Sequence, residues 1–170
     1  HFGAVDQACR VFVNGKNAGA HTGGYLPFEL DITEYLHAGE NELLVAVKDL
    51  SDTSYHARGK QKLKSGGMFY TAQSGIWQTV WMEAVDYQAL KHVFTIPDID
   101  QQQLVVRPEF YGENSSNTLT VEVLDGKKTI AKRSAKATNL STIVLPMKNA
   151  RRWSPEDPYL YDVRYTVRNA

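Results

Sequence analysis

The stretch Leu119-Thr120-Val121-Glu122-Val123-Leu124-Asp125-Gly126-Lys127-Lys128-Thr129-Ile130-Ala131-Lys132-Arg133-Ser134-Ala135 decides the fold class. Residues 119–124 and 129–135 are short runs with apolar side chains at alternate positions, the period of a strand with one buried face. Between them stands Asp125-Gly126, a pair that tolerates the positive φ of a tight turn, so the stretch reads as a β-hairpin. Working outward, runs of the same kind occupy residues 89–96, 104–111, 141–145 and 159–167. Six short strands separated by turn residues predict a β-sandwich, with a seventh strand expected beyond Ala170. The polar cluster at residues 112–117 reads as a loop.

The front half follows the same grammar. Residues 8–13 read as a strand closed by Asn14-Gly15, another hairpin turn. Residues 26–32 read as a strand with Pro27 near its start or on an edge, because proline cannot donate to a ladder. Residues 33–37 could form one helical turn, and 43–47 resume an extended run. Residues 76–83 alternate strictly, with Ile76, Gln78, Val80 and Met82 on one face and Trp77, Thr79, Trp81 and Glu83 on the other. That strand is expected to be buried on at least one side. Helical spacing is sustained almost nowhere, so the chain is expected to be all-β, with a first domain at 1–85 and a second at 86–170.

The 170 residues allow one or two domains, and 42% hydrophobic residues suffice for ordinary cores. Lys plus Arg and Asp plus Glu number 19 each, so the net charge is zero. A nucleic-acid binder carries a basic excess to neutralise phosphates, and none exists here; neither nucleic acid nor membrane is expected as a partner. Cys9 is the single cysteine, excluding an intrachain disulfide, and it reads as a small core residue. The five histidines show no ligand spacing, so neither a metal nor a cofactor is expected. No transmembrane run and no charged-then-apolar leader occurs. Two triplets, Asn114-Ser115-Ser116 and Asn139-Leu140-Ser141, match glycosylation sequons.

Several blocks together resemble one family. Val13-Asn14-Gly15-Lys16, then His21-Thr22-Gly23-Gly24-Tyr25-Leu26-Pro27-Phe28-Glu29-Leu30-Asp31-Ile32, resemble the sugar-binding domain of family 2 glycoside hydrolases. Ala38-Gly39-Glu40-Asn41-Glu42-Leu43 is similar to that domain's turn into its next strand, and Ser74-Gly75-Ile76-Trp77-Gln78-Thr79-Val80-Trp81 to the strand that closes it. Arg152-Trp153-Ser154-Pro155-Glu156-Asp157-Pro158-Tyr159-Leu160-Tyr161 resembles a signature late in the family's immunoglobulin-like domain. The blocks span nearly the whole chain, in order. The resemblance implies a partial jelly roll followed by an immunoglobulin-like sandwich, preceding a catalytic (β/α)-barrel. It also implies strands ahead of Phe2, so the jelly roll is expected to carry an unpaired edge through which the chain could form homo-oligomers.

No segment here resembles that barrel, since strand–helix alternation is missing. Retaining glycosidases place two carboxylates about 5 Å apart across the sugar, and Asn41-Glu42 sits instead in a glycine-containing turn. No catalytic residue is therefore expected in this chain. Its expected partners are a β-glycoside, in the context of the full enzyme, and that enzyme's own barrel. A free-standing carbohydrate-binding module and a β-sandwich scaffold or adhesion protein are the alternatives.

The candidate contact residues lie in residues 50–75, where strand patterning disappears; long irregular segments of this kind commonly carry function. Arg58, Lys60 and Gln61 can donate hydrogen bonds to hydroxyl or carboxylate groups, and Tyr55 and Tyr70 can stack on sugar rings. His21 and Tyr25, beside Gly23-Gly24, are further candidates. Many β-galactosidases of the family carry a substrate-contacting Asp before the equivalent Leu-Pro, a place that Gly23 takes here. Trp77 and Trp81 read as core residues of their strand, with sugar stacking as the other possibility.

Overall fold

The computed structural model describes residues 1–112 and 116–169. Asn114 and Ser115 of the first sequon, with Glu113 in the 112–117 loop, lie outside the described residues. The chain divides into two compact units, His1–Glu83 and Ala84–Ala170. Both are built from strands, with two short 3₁₀ turns, Thr33–Tyr35 and Ser51–Thr53, among the described residues. The all-β class expected from the sequence holds.

In the first unit, β1 (Val5–Asp6), β2 (Ala8–Val13), β3 (Lys16–Thr22) and β4 (Leu43–Lys48) are followed by three two-residue strands. These are β5 (Gln61–Lys62), β6 (Tyr70–Thr71) and β7 (Gly75–Ile76). β2 is the centre of the antiparallel sheet β3-β2-β4. The β2–β3 hairpin turns at Asn14 (φ 50°) and Gly15 (φ 76°), as the Asn-Gly pair demands. Asn14 also clasps a second turn: its Nδ2 donates to Tyr35 O (2.9 Å) and Asn41 Oδ1 (2.8 Å). The Asn41 amide donates in turn to His37 O at 2.8 Å, so Asn41 and Glu42 are turn residues. Cys9, Val11 and Val13 alternate into the interior, where Cys9 and Val11 join Phe2 and Val5, with Phe28, Leu30 and Val45 packed against them. This core is small. On the edge strand β4, Leu43 and Leu44 stay half exposed.

Two segments differ from their expected form. Residues 26–32 form no strand; Phe28 alone makes an isolated bridge with Phe2, exchanging both backbone hydrogen bonds. Residues 76–83 pair as a ladder only at β7, whose register is Val5↔Ile76 and Asp6↔Gly75, and Val80 adds one bridge to Phe2. No residue of this segment is buried: Trp77 is 53% and Trp81 46% exposed. Trp81 stacks on the His1 ring at 4.9 Å rather than entering the core. Alternation gives a segment two faces, but a ladder needs a partner along its whole length, and β1 offers two residues.

The second unit follows its sequence closely: β8 (Leu90–Asp98), β9 (Gln103–Phe110), β10 (Thr118–Asp125), β11 (Lys128–Lys136), β12 (Ile143–Pro146) and β13 (Asp162–Arg168). They form two antiparallel sheets, β11-β10-β13 and β12-β9-β8. β10 sends Leu119, Val121 and Val123 inward, meeting Val106 and Phe110 of β9 and Ile143 and Leu145 of β12 in one core. A core drawn from both sheets makes this a sandwich. Its outward residue Glu122 pairs with Lys132 (3.1 Å). Before β13, Arg151 forms an ion pair with Asp157 and lies 4.1 Å over the Tyr159 ring, while the Tyr159 hydroxyl bonds Asp125. Ser154 and Asp157 exchange backbone hydrogen bonds, so the proline-containing segment is a fixed clasp.

Candidate functional site

Residues 50–75 are tied down at several points. Tyr70 N donates to Lys60 O at 2.8 Å, and β5 and β6 run parallel with Gln61 opposite Tyr70. The Gln61 side chain accepts from Gln73 N (2.7 Å), and Asp52 accepts from Leu63 N (3.2 Å). Lys62 Nζ sits 3.8 Å over the Phe69 ring. Five candidates thus share one segment. Lys60, Gln61 and Tyr70 are brought together by the β5–β6 pairing. Arg58 is half-buried, its guanidinium against Ser54 O at 3.4 Å, and Tyr55 is wholly exposed. His21 and Tyr25 form a separate group. His21 stacks on Phe28 at 4.3 Å and places Nε2 3.2 Å from Gly23 O. Tyr25 meets Trp77 edge-on at 6.0 Å, and Trp77 Nε1 donates to Gly24 O at 2.7 Å. Among the described residues no hydrogen bond or ring contact joins the two groups.

Beneath the segment lies a polar knot absent from the sequence reading. Asp49, at the end of β4, accepts from Ser51 N (2.8 Å) and His56 Nε2 (3.1 Å) on one oxygen and from Ser74 Oγ (2.7 Å) on the other. The Asp49 side chain is 4% exposed and that of His56 8%. Burial works against the Asp49 carboxylate. The hydrogen bonds from Ser51, Ser74 and His56 outweigh it and hold the carboxyl below the ordinary aspartate value. Asp6, whose β1 register sets it beside Gly75, is pushed the other way, first by burial and then by the Asp49 charge, with His56 opposing. Asp6 Oδ1 is buried without a hydrogen-bond partner, and Gly24 lies so close that a Cβ there would stand 2.5 Å from it. A side chain at position 24 would have to displace the Asp6 carboxylate.

The residue types of the knot are those of a serine hydrolase, but the connectivity is not. A nucleophilic serine bonds its histidine, whereas Ser74 bonds Asp49, whose remaining capacity is filled. Nor can Asp6 and Asp49 act as a glycosidase pair, because no sugar reaches a carboxylate that is 4% exposed with both oxygens engaged. The knot is an anchor. It binds the end of β4, the 3₁₀ turn, His56 and the start of β7 into one base from which the segment projects. Sequence offered no sign of it, since Asp6, Asp49, His56 and Ser74 converge only through the β1–β7 register and the path of the segment. Among the described residues no grouping of His, Cys, Asp and Glu is suited to a metal ion.

Comparison with known proteins bears on both units. The family model described as glycosyl hydrolases family 2, sugar binding domain, matches residues 1–85, and that of glycosyl hydrolases family 2 matches residues 88–170. A β-galactosidase of Thermoanaerobacter pseudethanolicus is 31% identical over 96% of this chain and 22% of its own length. A putative β-glucuronidase of Formosa agariphila is 29% identical over 98% of this chain and 20% of its own. The chain therefore spans about a fifth of the length of these curated relatives. A solved β-glucuronidase from Ruminococcus gnavus superposes with a TM-score of 0.72 at 22% identity, covering 99% of this chain and 30% of that one. That likeness is one of fold.

Proposed function

The chain belongs to glycoside hydrolase family 2, and we propose that it is a non-catalytic part of a β-galactosidase-like β-glycosidase. In this reading residues 1–85 are the sugar-binding jelly roll and 86–170 the immunoglobulin-like sandwich. Together they support a catalytic barrel carried elsewhere in a longer protein. The observation that carries the reading is the ordered match of the two family models, over residues 1–85 and 88–170. Arg58, Lys60, Gln61, Tyr55 and Tyr70 project from that anchor and contact the glycoside, with His21 and Tyr25 in a lesser role. Neither metal nor cofactor enters the proposal.

The half-exposed Leu43 and Leu44 on the β4 edge further support self-association of the isolated chain. Light scattering at micromolar concentration is expected to show a dimer or larger species, and a monomeric mass removes this element of the proposal.

Two assays test the main reading. The purified chain should not turn over 4-nitrophenyl β-galactoside or β-glucuronide, and genuine turnover would refute it. In the longer enzyme, Arg58→Ala should lower kcat/KM by about tenfold while changing stability by under about 0.5 kcal/mol. Unchanged kcat/KM for Arg58→Ala, Lys60→Ala and Tyr70→Ala alike takes the segment out of substrate contact.

A further inference from the structure

We infer that Asp6 is a proton-operated catch beneath the Gly23-Gly24-Tyr25 turn: the turn stays latched to Trp77 while the Asp6 carboxyl is neutral and lifts when it ionises. The catch is a property of the first unit alone, and only its consequence for glycoside contact rests on the role proposed for His21 and Tyr25. Gly24 is buried against β1. A Cβ there would stand 2.5 Å from Asp6 Oδ1 and 3.5 Å from Asp6 Cα, so the backbone of the turn lies directly on the carboxyl. Two bonds hold it down. Gly23 N donates to Gln7 O at 2.9 Å, on the residue after Asp6, and Trp77 Nε1 donates to Gly24 O at 2.7 Å. Trp77 and Tyr25, which meets it edge-on, are each half exposed, so the outer side of the latch is solvent.

Asp6 Oδ1 is the weak point of this arrangement. It is buried without a hydrogen-bond partner, a position that a neutral carboxyl tolerates far better than a carboxylate. The neighbouring groups do not relieve it. Asp49, at the end of β4, repels the charge, and His56 attracts it but directs Nε2 to Asp49. His21, on β3, places Nε2 beside Gly23 O. β7 sets Gly75 opposite Asp6 and carries no charge, and neither does the turn above. The remaining donor is water. Lifting Gly24 admits water to Oδ1 and breaks the Trp77 bond in one movement, and Gly23, at φ 126°, is a backbone position where glycine turns at little cost. Burial, and then the Asp49 charge, pushes Asp6 up, so the closed turn favours the neutral acid and the open turn the carboxylate. The latch is therefore closed at low pH and loosens as pH rises through the folded value of Asp6. The coupling is reciprocal: whatever opens the turn must bring Asp6 back towards its ordinary value.

NMR of the full chain tests the catch, from below the ordinary aspartate value up to neutrality. The Asp6 carboxyl is followed by its carbon shift, and the Trp77 indole N–H by its hydrogen exchange relative to that of Trp153 in the second unit. Peaks lost in Trp77→Phe and Trp153→Phe assign the two indoles. As pH rises through the Asp6 titration, the Trp77 ratio should increase by about tenfold, the change that one unit of pKa displacement corresponds to. Asp6→Asn, which cannot ionise, should hold the ratio within about twofold over the same range. Trp77→Phe, which keeps a ring and loses the donor, should bring the Asp6 titration towards the ordinary value. A ratio that stays flat across the Asp6 titration of the wild type overturns the inference without any variant. The same rise in Asp6→Asn overturns it too, by assigning the event to His56, as does an Asp6 titration left unmoved in Trp77→Phe. No readout involves a sugar, so failure of the catch leaves the contact role of His21 and Tyr25 untouched, and failure of that role leaves the catch standing.

Discussion

Replacing Asp49 is the sharpest probe of the anchor. Asp49→Ala removes the acceptor for three donors at once: Ser51 N–H, His56 Nε2 and Ser74 Oγ. Ser74 is exposed and can turn to water, so its loss costs little. Ser51 is 4% exposed and the His56 side chain 8%, and neither has water as an easy substitute. Each orphaned buried donor costs about 1–3 kcal/mol, so Asp49→Ala should destabilise the first unit by about 3–4 kcal/mol. Asp49→Asn keeps oxygen towards Ser51 and His56 and turns its amide to Ser74, which can accept. It loses only the charge assistance, and should cost about 1–1.5 kcal/mol. Urea unfolding in a Trp153→Phe background reads this unit alone through Trp77 and Trp81, while amide exchange of residues 51–75 reports the local release. If both variants shift stability by under about 0.5 kcal/mol and exchange is unchanged, the anchor argument is wrong.

Further outcomes follow from the two cores and the charges of the knot. Leu119 has no exposed surface at the centre of the sandwich, so Leu119→Ala should cost about 3 kcal/mol in unfolding followed by Trp153; under about 1 kcal/mol would mean the two sheets are not packed as described. Trp81→Ala should cost only about 1–2 kcal/mol, because nearly half the ring already meets solvent and its stacking partner is His1. A loss of about 4 kcal/mol or more would place the ring in a core instead. The two aspartates of the knot have opposite pH signatures. Asp49, held low, contributes stability that is full above the ordinary aspartate range and lost as pH falls through its folded value. Asp6, pushed up, contributes stability below the ordinary value that is lost as pH rises through its folded value. Asp6→Asn should therefore gain on the wild type as pH rises above the ordinary aspartate value in denaturant titrations, and Asp49→Asn should fall behind as pH rises towards that value from below. Parallel profiles for wild type and both variants contradict this assignment.

How far the sequence could be read depended on what each element needs to form. The six strands of the second unit were legible because each carries its own alternation, and the hairpin at Asp125-Gly126 brings two of them into register locally. The strand face could even be named residue by residue, since Leu119, Val121 and Val123 all point inward. Residues 26–32 and 76–83 misled because their alternation is genuine but their partners are short: Phe2 alone bridges both Phe28 and Val80. Whether an alternating segment becomes a ladder is settled by the neighbouring chain, which a local pattern does not contain. For the same reason Trp77 and Trp81 read as core and emerged half exposed.

The segment at residues 50–75 shows the complementary case. Its lack of period is a true statement about regular structure, yet it is not slack chain. The bonds from Tyr70 N to Lys60 O, Gln73 N to Gln61 Oε1 and Leu63 N to Asp52 Oδ1 each satisfy a backbone donor that a ladder would otherwise take. Side-chain acceptors can do this from any sequence position that the path brings near, so they leave no periodic trace. The same path brings His56 and Ser74 back to Asp49, fixing the segment near its two ends and leaving Lys60, Lys64, Tyr55 and Tyr70 exposed. A surface built in this way has its residues exposed and its base held. The first property is written in composition. The second is written only in the geometry that joins residues far apart in the chain.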